Sequence, residues 1–149
     1  MRQFELRRDW VTEAGFRAIV IMTDIGFHCG YVGVAPGHPL HGADYDRHSN
    51  ALGDAPSSVF DVHGWLTFSG ERGGSMIEEN DLWWFGFDCG HCGDAPSPEY
   101  LEKMQQEYPD SSFMWEHVEG VFRDVDYCVA ECESLARQIA DAAQGQEEA

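Results

Sequence analysis

Between Asp124 and about Ala143, the residues Cys128, Cys132, Leu135 and Ile139 recur at i, i+4, i+7 and i+11. That spacing puts all four on one stripe of an α-helix. A helix with one apolar stripe must bury it against a second layer. The residues ahead of it offer β-type runs for that layer. Arg17–Met22 is short, apolar and rich in β-branched side chains, and reads as a buried strand. After a turn at Asp24–Gly26, His28–Val34 reads as a second. Phe60–Ser69 alternates well enough for a third, with a turn at Glu71–Gly74. Leu82–Asp88, the most aromatic stretch, reads as a central strand. It ends directly in the Gly-rich turn Cys89–Asp94. Ala35 to about Pro56, dense in Gly, Pro, His and Asp, is a long loop of the kind that often carries function. Ser97-Pro-Glu99 reads as a helix start with Ser as N-cap, and Tyr108-Pro109 stops that helix near Glu107. The order is strands, then helices. It predicts one α+β domain over residues 1–149: an antiparallel or mixed sheet of about four or five strands with two or three mostly C-terminal helices. The tail from 143 to 149 should fray.

Composition narrows the function classes. The 149 residues include 27 Asp+Glu against 9 Lys+Arg, a formal charge of −18, yet 43% are apolar and 13% aromatic. Wholesale disorder is excluded by that apolar content. Direct binding to nucleic acid is disfavoured, because it needs clustered Lys/Arg, and here Lys103 is the one lysine and the arginines are scattered. No run approaches the ~18 apolar residues of a membrane span. The charged N-terminus lacks the apolar stretch of a signal peptide, so a cytoplasmic location is expected.

Five Cys without a secretory signal argue against a disulfide framework. Cys128 and Cys132 lie on the helix stripe and read as small buried hydrophobes. Cys89-Gly-His-Cys-Gly-Asp94 differs, with two thiols and an imidazole inside four residues. Zinc takes about four N/S ligands, and C-x-x-C supplies two of them. Cys29 and His63 are the candidates to complete the set with Cys89, His91 and Cys92. The same C-G-H-C letters match the redox centre of protein disulfide isomerases, but Gly93-Asp94-Ala-Pro96 follows at once and leaves no room for the helix that lowers the thiol pKa there. A third possibility is a nucleophilic Cys89 served by His63 or His91 and oriented by Asp94 or Asp88.

Four segments carry a resemblance: H-C-G-Y-V-G-V at 28–34, H-P-L-x-G-x-x-Y-D at 38–46, V-H-G-x-L-T-F-S-G at 62–70 and W-W-F-G-F-D-C-x-H-x-G-D at 83–94. Together they resemble a family of small phage and prophage proteins over roughly residues 25–95, most specifically in the last two segments. Cys92 falls where the family pattern is not fixed, which favours Cys29, His63, Cys89 and His91 as the set to follow. The resemblance implies a phage context and counter-defence, since small acidic phage proteins resemble, as a class, anti-CRISPR inhibitors.

Two functional expectations follow. The first is an acidic phage-encoded inhibitor, cytoplasmic in the infected bacterium and steadied by one zinc, that binds a basic nucleic-acid-binding surface on a Cas-type effector. From Pro96 onward there are 13 acidic residues against 3 basic ones. Glu116, Glu119, Asp124, Asp126, Glu131 and Glu133 are the candidates to face such a partner. The second is a metal- or Cys/His-dependent hydrolase acting on a nucleotide or other small substrate, with Cys89, His63, His91 and Asp94 as its catalytic residues.

Overall fold

The computed structural model describes residues 4–71, 77–111 and 118–147. Five strands form one antiparallel sheet: β1 (Phe4–Val11), β2 (Arg17–Thr23), β3 (His28–Val34), β4 (Phe68–Glu71) and β5 (Trp83–Asp88), in the spatial order β1-β2-β3-β5-β4. Among the described residues the α-helices are a single turn, α1 (Pro56–Val59), then α2 (Pro98–Glu107), followed by a 3-10 turn at Pro109–Ser111, and the long α3 (Val125–Glu147). The expected α+β fold with its mostly C-terminal helices is what the chain adopts. Among the described residues, no helix is long and apolar enough to cross a membrane.

The first two hairpins use one device. In Thr12-Glu-Ala-Gly-Phe16 and Thr23-Asp-Ile-Gly-Phe27, the Thr hydroxyl donates to the Phe carbonyl at 2.8 and 3.0 Å. Glycine takes the left-handed position in each, at φ +94° and +86°. A side chain there would be strained, and at Gly26 it would also meet the Tyr100 ring.

Strand β1 has no counterpart in the sequence reading. Its FELRRDWV segment is charged because it is an edge strand, largely exposed, where charge protects an unpaired edge. The expected strand over Phe60–Ser69 is corrected: only Phe68 onward is extended and paired, giving Phe68–Glu71. Phe60, Val62 and Leu66 are buried, as alternation implied. Gly64 and Trp65, however, take φ +61° and +55°, and two successive left-handed residues cannot continue a ladder. The expected turn at Glu71–Gly74 lies, beyond Glu71, outside the described residues.

Alternation along the strands sorts side chains onto two faces. One face supplies Ala18, Val20, Val32, Val34, Phe85 and Phe87, against which α3 sets Cys128, Cys132, Leu135, Ala136 and Ile139, all fully buried. Gly30 allows the close approach, since a Cβ there would meet Phe87 and the Cys132 thiol. The opposite face carries a smaller cluster of Ile19, Ile21 and Trp84, flanked by Phe4, Cys29, Tyr31, Phe68, Ile77 and Leu82. The loop after β3 closes over the edge of the core. Leu40 is buried, Trp83 Nε1 donates to the Ala43 carbonyl at 2.8 Å, and the Tyr45 amide donates to Ser69 Oγ at 2.9 Å.

Candidate functional site

The turn leaving β5 gathers the polar side chains. Asp88 Oδ1 accepts from the Gly90 amide at 3.0 Å, and Asp94 Oδ2 accepts from the His91 amide at 3.0 Å, so each end of the turn is closed by a carboxylate. The turn is anchored behind by the Cys89 amide donating to the His28 carbonyl at 2.9 Å, and at its far end by bonds between the Gly93–Ala95 backbone and Val121.

Asp94 is the hub. Its side chain is 1% exposed, and its carboxylate also accepts from His63 Nε2 at 2.7 Å and Arg123 Nε at 3.1 Å. Burial opposes ionisation, but the hydrogen bonds from His63, the His91 amide and Arg123 outweigh it. Together they hold Asp94 below the usual carboxylate range. On its other side His63 Nδ1 lies 2.7 Å from the Tyr127 hydroxyl. The tautomer that satisfies both contacts donates from Nε2 to Asp94 and accepts the Tyr127 proton at Nδ1. The Arg123 guanidinium lies 4.9 Å from the centre of the Tyr127 ring, a cation–π arrangement. Burial, then the charge of Glu131, raises the Tyr127 pKa and keeps the phenol protonated. The result is a relay from Tyr127 through His63 to Asp94, with both imidazole nitrogens engaged inside the protein.

Around it runs a more exposed rim. The His91 ring lies 5.9 Å from that of Trp65 and 6.3 Å from that of His63, and its Nε2 is 3.3 Å from Asp88 Oδ1. Trp65 is 65% exposed despite its left-handed backbone. Gly64 beside it has no room for a side chain, because a Cβ would overlap the His91 ring.

The cysteines go elsewhere. Cys89 is 1% exposed, and its sulfur lies 3.4 Å from that of Cys128. The contact with Cys128 and burial both push its thiol up, so it stays protonated. Cys29 belongs to the opposite face of the sheet, and burial pushes its thiol up to about 12. Cys92 is exposed. The five expected ligands are thus distributed, with His63 bonded to Asp94 and Tyr127, His91 at the rim, Cys89 in the core, Cys29 on the far face and Cys92 in solvent. Among the described residues, no three His, Cys, Asp or Glu side chains form a metal-holding group.

Comparison with family models, curated proteins and solved structures finds no match to the chain. Sequence reading singled out His63, His91 and Asp94, which the structure brings together. Arg123, Tyr127 and Trp65 complete the cluster and were not singled out. Arg123 lies just before α3 and Tyr127 in its first turn, so helical spacing does not relate them, and it is the folded chain that brings both to the His63–Asp94 pair.

The acidic residues also divide. Asp124 caps α3, its Oδ1 accepting from the Tyr127 amide at 2.8 Å. Glu131 accepts from the His63 amide at 2.7 Å, and Glu133 accepts from Trp10 Nε1 at 2.9 Å and the Glu13 amide at 3.1 Å. Those three do structural work, whereas Glu119 and Asp126 are exposed. Glu116 lies outside the described residues.

Proposed function

We propose that the protein is an acidic binding protein, a phage-encoded inhibitor that engages a basic nucleic-acid-binding surface of a Cas-type host effector. The observation that carries this reading is how its few cations are used. Arg7, Arg17, Arg47, Lys103 and Arg123 each pair with a carboxylate of the same chain. The excess acidic charge therefore faces solvent with little to offset it, a field suited to a cationic partner. Exposed Trp65 supplies an aromatic anchor of the type that dominates binding energy at protein interfaces. The phage family resemblance supports the choice of partner. A structural zinc at the Cys89–Asp94 turn is not required by this reading. The hydrolase reading rests on the His63–Asp94 pair, and it ranks second because neither His63 nitrogen is left open for a substrate.

The test is guide-directed DNA cleavage by a panel of Cas-type effectors, with and without the protein, together with direct binding at low and high salt. Inhibition that weakens steeply as salt rises, and that Trp65→Ala or Asp126→Lys reduces, is expected. Absence of binding across the panel, or affinity indifferent to salt, overturns the proposal.

A further inference from the structure

On the face of the sheet opposite α3, beside the Ile19–Ile21–Trp84 cluster, the described residues leave a pocket of about 340 Å³. That volume falls within the range of small-molecule sites. Its walls are aromatic: Phe4 from the edge strand, Phe27 from the β2–β3 hairpin, Tyr31 from β3 and Phe68 from β4 all line it. The Tyr31 and Phe68 rings meet edge to face, 5.4 Å apart. Among the described residues the lining includes one charged side chain, Asp88, at the end of β5.

We propose that this pocket binds a small organic ammonium ion, with Asp88 as its counter-ion and the rings of Phe4, Phe27, Tyr31 and Phe68 as its walls. Three features favour a cation over a neutral apolar ligand. Aromatic faces carry negative charge density and attract alkylated ammonium groups, which are too weakly hydrated to resist entry. Asp88 has acceptor capacity to spare. A carboxylate offers about four lone-pair sites, while here Oδ1 accepts from the Gly90 amide and Oδ2 from the Thr67 hydroxyl at 3.2 Å, with His91 Nε2 at 3.3 Å from Oδ1. The side chain remains 37% exposed, so a ligand can reach it. Finally, a chain of net charge −18 concentrates small cations at its surface. Thr67 holds the carboxylate from the strand side and Gly90 from the turn side, which fixes it at the pocket edge before any ligand arrives. This inference is independent of the proposed inhibitor role, since the pocket lies on the sheet face away from α3.

Choline and its uncharged carbon analogue, 3,3-dimethylbutan-1-ol, have nearly the same shape and differ in charge. Titration calorimetry of the full chain with each is expected to show one choline per chain, bound at least about ten-fold more tightly than the alcohol. Asp88→Asn should abolish that preference while leaving the weak binding of the alcohol, and Phe4→Ala should weaken choline several-fold without touching the turn. Equal binding of the two compounds, no saturable binding of choline, or choline binding unchanged in Asp88→Asn overturns the proposal. Should Asp88→Asn fail to fold, the comparison of the two compounds on the unaltered protein still decides.

Discussion

Asp94 and His28 give the fold its acid sensitivity in different pH windows, Asp94 through the hydrogen bonds to its carboxylate and His28 through burial. Asp94 is ionised and hydrogen-bonded in the folded protein, with its pKa below the ordinary 3.8. Its contribution to stability is fully present above 3.8 and is lost as pH falls through the lower folded value. His28 is 3% exposed, its Nδ1 is 2.8 Å from the Arg123 carbonyl, and burial lowers its pKa from 6.5. The unfolded chain therefore binds the His28 proton first, so stability falls as pH drops below 6.5. Thermal melts should show a first decline in Tm between about pH 6.5 and 5, diminished in His28→Leu. A second decline, below about pH 4, should be diminished in Asp94→Asn. At neutral pH Asp94→Asn should itself cost about 3 kcal/mol in urea denaturation, because Arg123 and His63 lose a buried anionic partner. A Tm curve flat from pH 7 to 5 would contradict the role given to His28.

At the scale of elements, legibility followed whether a signal was local. The α3 stripe, the Ser97 cap and strands β2, β3 and β5 were read correctly because each advertises itself by its own period or its own cap. Ser97 Oγ accepts from the Tyr100 amide at 3.1 Å, as a capping serine should. Strand β1 escaped because, as an exposed edge strand, it carries charge in place of an apolar period, although it pairs locally with β2 through the first hairpin. The repeated Thr-x-x-Gly-Phe hairpin was present in the sequence and would have exposed β1, since the first copy requires a strand on each side. Phe60–Ser69 misled for the opposite reason. Its alternation reflects burial of Phe60 and Val62, while Gly64 breaks the extended path. Gly64→Ala should cost more than about 1 kcal/mol, combining a left-handed φ with collision against His91. Gly53, also left-handed but with open space around it, is the control, and its alanine variant should cost less by chemical denaturation. Equal losses would show that the His91 contact adds nothing.

The whole molecule carries its charge as a load on folding. With −18 charges on one domain, self-repulsion favours expansion, and salt relieves it as the screening length falls from about 30 Å at 0.01 M to about 8 Å at 0.15 M. Tm should rise by several degrees between those ionic strengths, measured by calorimetry. A fall would mean that the internal ion pairs of Arg17, Arg123 and their partners outweigh the repulsion. The sequence by itself determined the class of fold, the layer that α3 must cover and the acidic character of the surface, because periodicity, caps and charge are properties of neighbouring residues or of composition. Tertiary structure alone decided which groups meet. It joined His63 to Asp94 and Tyr127, turned Cys89 toward Cys128 rather than toward a histidine, placed Cys29 on the far face and lined one pocket with four aromatic rings and Asp88. Those contacts depend on strand order and on which face each residue occupies, and a one-residue change of register would reverse them.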